Sequence, residues 1–205
     1  RAQQVGFVSS LKFRVSILVI LAVVLTGAIM LLIVVPEAES AIQVETEHYI
    51  HDMVTANGIS LDQFIAAGNL NNKISMKNTF GNVALQGVDS SYAYIVSGSD
   101  GMMLCHPEGE KVGQPVENAV IKKVVEDIQM GARPETSVVE YKYKGTAKMA
   151  AYYVTKKEPT VLVITADKDD ILAPINNMIK TGVVAFAIVV VIFAFLAAFI
   201  TGRMT

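Results

Sequence analysis

Two stretches of the chain carry no charge and almost no polar side chain: VSILVILAVVLTGAIMLLIVV at residues 15–35 and GVVAFAIVVVIFAFLAAFIT at 182–201. A helix needs roughly 20 apolar residues to cross the hydrocarbon core of a bilayer, and each stretch meets that length. A cleaved signal peptide would have a shorter apolar run followed by a small-residue cleavage pattern, and the first stretch has neither. Two transmembrane helices are therefore expected. Arg1, Lys12 and Arg14 precede the first and Arg203 follows the second, whereas Glu37, Glu39, Glu45 and Glu47 stand just beyond Pro36. Positive charge stays inside, so both termini are expected in the cytoplasm. The chain then divides into a cytoplasmic segment at 1–14, a span at 15–35, an extracytoplasmic domain at 36–181, a second span at 182–201 and a short cytoplasmic start at 202–205. It belongs in the inner or plasma membrane.

After Pro36 the apolar positions switch to helical spacing: Ile42, Tyr49, Met53 and Ala56 form one stripe, with Ile50, Val54, Leu61, Phe64 and Ile65 beside it. This predicts a long stalk helix, adjusted at Pro36 and broken near Asn57-Gly58, with one stripe covering a sheet and another meeting a second copy of the chain. Residues 68–90 are rich in Asn and Gly and predict short helices joined by turns. From Tyr92 the period becomes strand-like in YAYIVSG, MMLCH, SVVEYKYKG, AKMAAYYVT and TVLVITA. Gly101, Lys144-Gly145 and Lys157-Glu158-Pro159 supply turns between them. Between the second and third strands Val120, Val124 and Ile128 recur every fourth residue up to Gly131, the mark of an amphipathic crossover helix. The fold class is α+β: a long N-terminal helix and a five-stranded antiparallel sheet, flanked by two membrane helices. A short connector, DKDDILAPINNMIK, links the last strand to the second span.

Composition narrows the function. The chain has 205 residues, 52% of them hydrophobic, with a net charge of −2, and its lysines are scattered, so no nucleic-acid partner is expected. Cys105 is the one cysteine, which excludes an intramolecular disulfide and reads as a small apolar strand residue, with His106 on the opposite face. His48 and His51 read as surface residues of the stalk, and no metal or cofactor is expected. The chain does not begin with Met and ends shortly after the second apolar run, which reads as a fragment whose cytoplasmic output has been removed.

In order and motif the middle of the chain resembles the single Cache domains, PAS-like sensor domains outside the membrane in bacterial chemoreceptors and sensor kinases. The strand at Tyr92 to Val96, the Asp100-Gly101 turn, His106-Pro107 after the second strand and KVGQPVEN before a helix carry the resemblance, and TGRMT looks like the start of a HAMP linker. The Gly-Trp that many such domains place before the last strand is absent. The resemblance implies the PAS-like fold and the sensing and transmembrane signalling part of a methyl-accepting chemotaxis protein. A histidine kinase or cyclic-dinucleotide enzyme carrying the same sensor is the alternative; a membrane-anchored exported enzyme or an adaptor ranks below it. No nucleophile elbow, paired-carboxylate motif or zinc sequence is present, so no enzymatic activity is expected.

The candidate ligand-binding residues are Tyr92 and Tyr94 on one face of the first strand, Lys148 and Tyr152 on one face of the fourth, and His106 at the mouth of the second. Phenols, an imidazole and an ammonium suit a carboxylate, because charge-assisted hydrogen bonds are about twice as strong as neutral ones. The expected partners are a short carboxylate of about two to four carbons, a second copy of the chain, the membrane and cytoplasmic signalling proteins.

Overall fold

The computed structural model describes residues 11–203. Most of the cytoplasmic segment expected at 1–14, and the end of the one expected at 202–205, lie outside the described residues. The chain divides into two compact units, one of Gln43–Ala173 and one of the chain up to Ile42 with that from Pro174 onward.

Helix α1, Leu11–Ile29, passes through one π-helical turn, Met30–Val34, into helix α2, Val35–Ala66. The adjustment expected at Pro36 is this wider turn, which precedes the proline and relieves both its missing N–H and its ring clash. At the other end helix α5 runs over Lys168–Arg203 with Pro174 inside it. Both helical runs contain windows long and apolar enough to cross a membrane. Their apolar side chains stand exposed, as with Leu32 at 76% and Phe195 at 73%.

The unit Gln43–Ala173 is a five-stranded antiparallel sheet covered on both faces. Its strands are β1, Tyr92–Ser97; β2, Met103–Cys105; β3, Ser137–Tyr143; β4, Thr146–Val154; and β5, Thr160–Asp167. They lie in the order β2-β1-β5-β4-β3. Strand β5 is central and buried along nearly its whole length, which explains its unbroken apolar run. The edge strand β3 carries exposed Glu140 and Lys142, charges that discourage pairing with a further strand.

Ile50, Val54, Leu61 and Ile65 of α2 cover one face, packing with Ile95, Met149, Leu162 and Ile164. The break expected near Asn57-Gly58 does not occur. At Gly58 a Cβ would lie 2.2 Å from Cγ of Tyr153, so the missing side chain gives room to a ring of the sheet and the helix runs straight on. Helix α3, Lys73–Phe80, is the one regular helix within residues 68–90 and adds Met76 and Phe80 to the same core. Cys105 lies in this core as a free, buried thiol.

Helix α4, Ala119–Gln129, covers part of the other face as the expected crossover. Its buried residues are Ile121, Val124 and Val125, so the inward stripe is turned by about one residue from the expected Val120, Val124 and Ile128. The expected connector after β5 is itself helical: Asp167 closes the strand and Lys168 opens α5, with Asp169 and Asp170 in its first turn. Acidic side chains complement the positive pole of a helix start, which favours helix immediately after the strand.

Candidate functional site

On the α4 side of the sheet three successive rows of side chains run from the Asp167 end. Asp167, Lys148 and Tyr141 lie side by side across β5, β4 and β3; the next row is Thr165 between Tyr92 and Ala150; the next is Val163 between Tyr94 and Tyr152. Tyr141 shares a 2.9 Å hydrogen bond with Thr165, spanning the strand on which Ala150, the neighbour of Thr165, offers only a methyl group.

The remaining wall comes from the segment after β2. It leaves the sheet at His106-Pro107, makes a 3-10 turn at Gly109–Lys111 and comes back along the edge, where the amide of Met103 donates to Gln114 (2.9 Å) and that of Gly113 to Met103 (2.8 Å). Gly113 has φ +84°, a conformation that glycine adopts without strain. The return brings Val116, Glu117 and Asn118 to the tyrosines. Asn118 caps α4 by accepting from the amides of Val120 (2.9 Å) and Ile121 (3.4 Å), and its Nδ2 reaches 3.5 Å from the Tyr94 hydroxyl. The motif KVGQPVEN thus builds a cavity wall and a helix start together.

The resulting cavity is tight, with about 20 Å³ of room for a water-sized guest, space for about one water molecule. The Tyr92, Tyr94 and His106 rings meet at its centre, with centroids 5.3 Å (Tyr92 to His106), 5.9 Å (Tyr94 to His106) and 6.1 Å (Tyr92 to Tyr94) apart. Burial, reinforced by the neighbouring Tyr141, pushes the Tyr92 and Tyr94 phenols well above their ordinary range, so both keep their protons as donors. Burial first, then the Lys111 charge, pushes the His106 imidazole down. Its Nδ1 accepts the Glu108 amide at 3.0 Å, which leaves Nε2 as the protonated nitrogen of the neutral ring. At the rim Lys111 pairs with Glu108 at 3.0 Å and the Tyr143 hydroxyl donates to Glu117.

Of the residues selected from sequence, Tyr92, Tyr94 and His106 line the cavity together. Lys148 stands behind them: its ammonium pairs with Asp167 and lies 5.6 Å from the Tyr92 ring centroid. Tyr152 shares the face but packs beyond Val163 into the core under α4, with the Asp127 charge bearing on it. Tyr141, Tyr143, Lys111, Glu117 and Asn118 also line the cavity and were not selected. The alternation of SVVEYKY could have marked the two tyrosines, since Tyr141 and Tyr143 share a face at two-residue spacing. Among the described residues no three His, Cys, Asp or Glu gather to hold a metal ion.

No family model matches the chain, and no curated protein matches it significantly. Solved structures with partial likeness include the extracellular domain of the histidine kinase mmHK1S-Z2, at 22% identity and a TM-score of 0.40 over 49% of this chain and 38% of that one. The ligand-binding domain of Mlp24 with asparagine aligns at 14% identity and a TM-score of 0.37 over 50% of this chain and 38% of that one. The periplasmic sensory domain of the Campylobacter jejuni chemoreceptor Tlp1 aligns at 20% identity and a TM-score of 0.33 over 42% of this chain and 31% of that one. The match covers less than two fifths of each of these structures.

Proposed function

We propose that this chain is the sensing and membrane-spanning part of a bacterial chemoreceptor, a single Cache domain between two membrane helices with both termini in the cytoplasm. It works as a homodimer and carries out no reaction. The observation behind this reading is the cavity on the sheet: Tyr92, Tyr94 and His106 converge there as neutral donors with the Lys111 ammonium at the rim. Donors held in place before the guest arrives favour a short carboxylate of about two to four carbons, which the narrow cavity must widen to admit. Lys111 takes the role first given to Lys148 because it lines the cavity and Lys148 does not; each already has an acidic partner, Glu108 and Asp167. Against catalysis stands the state of His106, whose Nδ1 is committed to a backbone amide and so lacks the carboxylate that would orient a general base. The occupied cavity favours one position of β5, and the strand passes that preference to α5 because no loop separates them.

Calorimetry on the chain in lipid nanodiscs, titrated with acetate, propionate, pyruvate and lactate, tests the ligand class. At least one binds, and Tyr94→Phe and His106→Ala weaken it by about tenfold, or 1.4 kcal/mol. Loss of all carboxylate binding while neutral amides or amines bind overturns the anion assignment.

A further inference from the structure

Strand β2 has a second cavity on its other side, roomier than the first at about 270 Å³ against about 20 Å³. Helix α3 contributes Lys73, Ile74 and Lys77; β2 and the segment after it contribute Leu104, Cys105, His106, Gly109 and Val112. The charge in this wall is of one sign. Lys73 and Lys77 are one helical turn apart, so their side chains share a face of α3, and neither has an acidic partner among the described residues. No carboxylate lines the cavity. The interior is apolar: Cys105 is buried at its floor, Leu104 and Val112 are half-buried, and Ile74 stands 77% exposed at the helix that borders it. The Lys77 charge reaches the floor, where it opposes the upward push of burial on the Cys105 thiol.

An apolar enclosure of this size beside two uncompensated ammonium groups has the complement of a particular kind of molecule. We propose that it is a second binding site, for an organic monoanion with a compact apolar body such as an aromatic carboxylate. Lys73 and Lys77 face the carboxylate, and Leu104, Cys105, Val112 and Ile74 surround the ring. A simple inorganic anion leaves the apolar part of the cavity unfilled, and a neutral aromatic leaves the two lysines unmatched, so the amphipathic anion is the class that uses both features. The site is separate from the donor-rich cavity and stands whether or not a short carboxylate binds there.

Benzoate is the probe and benzamide its neutral counterpart, each titrated by calorimetry into the complete chain in nanodiscs. Benzoate binds, and Lys73→Gln with Lys77→Gln weakens it by about tenfold while Tyr94→Phe leaves it unchanged. Both lysines are exposed, so the double variant keeps the fold, and an unchanged melting temperature checks this. Benzamide binds at least about tenfold more weakly than benzoate. Bound benzoate also slows modification of Cys105 by N-ethylmaleimide. The proposal is overturned if benzoate does not bind, if benzamide binds equally well, or if benzoate binding survives the double lysine variant and is lost in Tyr94→Phe, which would place it in the first cavity.

Discussion

His106 is held by groups that favour its neutral form. The tyrosine rings of β1 bury it, Lys111 repels a proton, and the Glu108 amide donates to Nδ1, where a second proton would have to sit; the Glu108 carboxylate pulls the other way and is outweighed. Its folded-state pKa is therefore below the ordinary value of about 6.5. The unfolded chain binds the proton more readily, so the stability His106 contributes is complete above about pH 6.5 and is lost as pH falls through the lowered value. Thermal melts from about pH 7 to pH 5 should show a steeper fall for the native chain than for His106→Gln. Lys148 and Asp167 form a second residue-level test, being 10% and 30% exposed. Lys148→Met leaves a carboxylate without its partner and should cost about 2 kcal/mol, and adding Asp167→Asn should recover part of that. Melts of the single and double variants close the cycle. Tyr92, Tyr94 and His106 were legible as a cluster because strand alternation and a two-residue motif point to one face. The partner of Lys148 was not, since Asp167 lies 19 residues away and only the β4–β5 register brings it alongside.

At the level of elements, strand-like runs marked each of the five strands, alternating at the edge strand β3 and unbroken at the central β5, and the turns fell where Gly101 and Lys144-Gly145 take positive φ. Helix α2 shows where that legibility ends. Asn-Gly commonly marks a turn, yet here Asn57 donates from its side chain to the Met53 carbonyl at 2.8 Å and Gly58 makes room for Tyr153. The use of a glycine depends on what packs against it, and that partner is 95 residues further on. Tyr153, whose phenol burial and Asp62 push up to about 12, donates to Asp62 of the same helix at 2.7 Å. Gly58→Val should displace the ring, break that bond and cost about 1–3 kcal/mol. Chemical denaturation against Ser60→Ala, a change on the exposed side of α2, measures the difference.

For the whole molecule, two predictions separate assembly from transmission. Ile42 and Tyr49 are 40% and 48% exposed and two turns apart on α2, whereas Met53 packs partly against the sheet core of its own chain. Single cysteines at Ile42 and Tyr49, in a Cys105→Ala background, should cross-link between copies in membranes, and one at Met53 should do so poorly. Absence of cross-links at the first two positions removes α2 as the dimer contact. Three glycines inserted after Pro174 interrupt α5, so a chimera carrying a chemoreceptor output domain should keep its ligand affinity and lose its ligand-dependent kinase response. His106 carries a further consequence, because its imidazole forms part of the wall of both cavities flanking β2. Any shift of that ring forced from one side is felt on the other, and thermodynamics makes such interference mutual: the factor by which one guest alters the hold on the second is the factor returned. With such a partition, the concentration at which one compound is half bound depends on how much of the other is present.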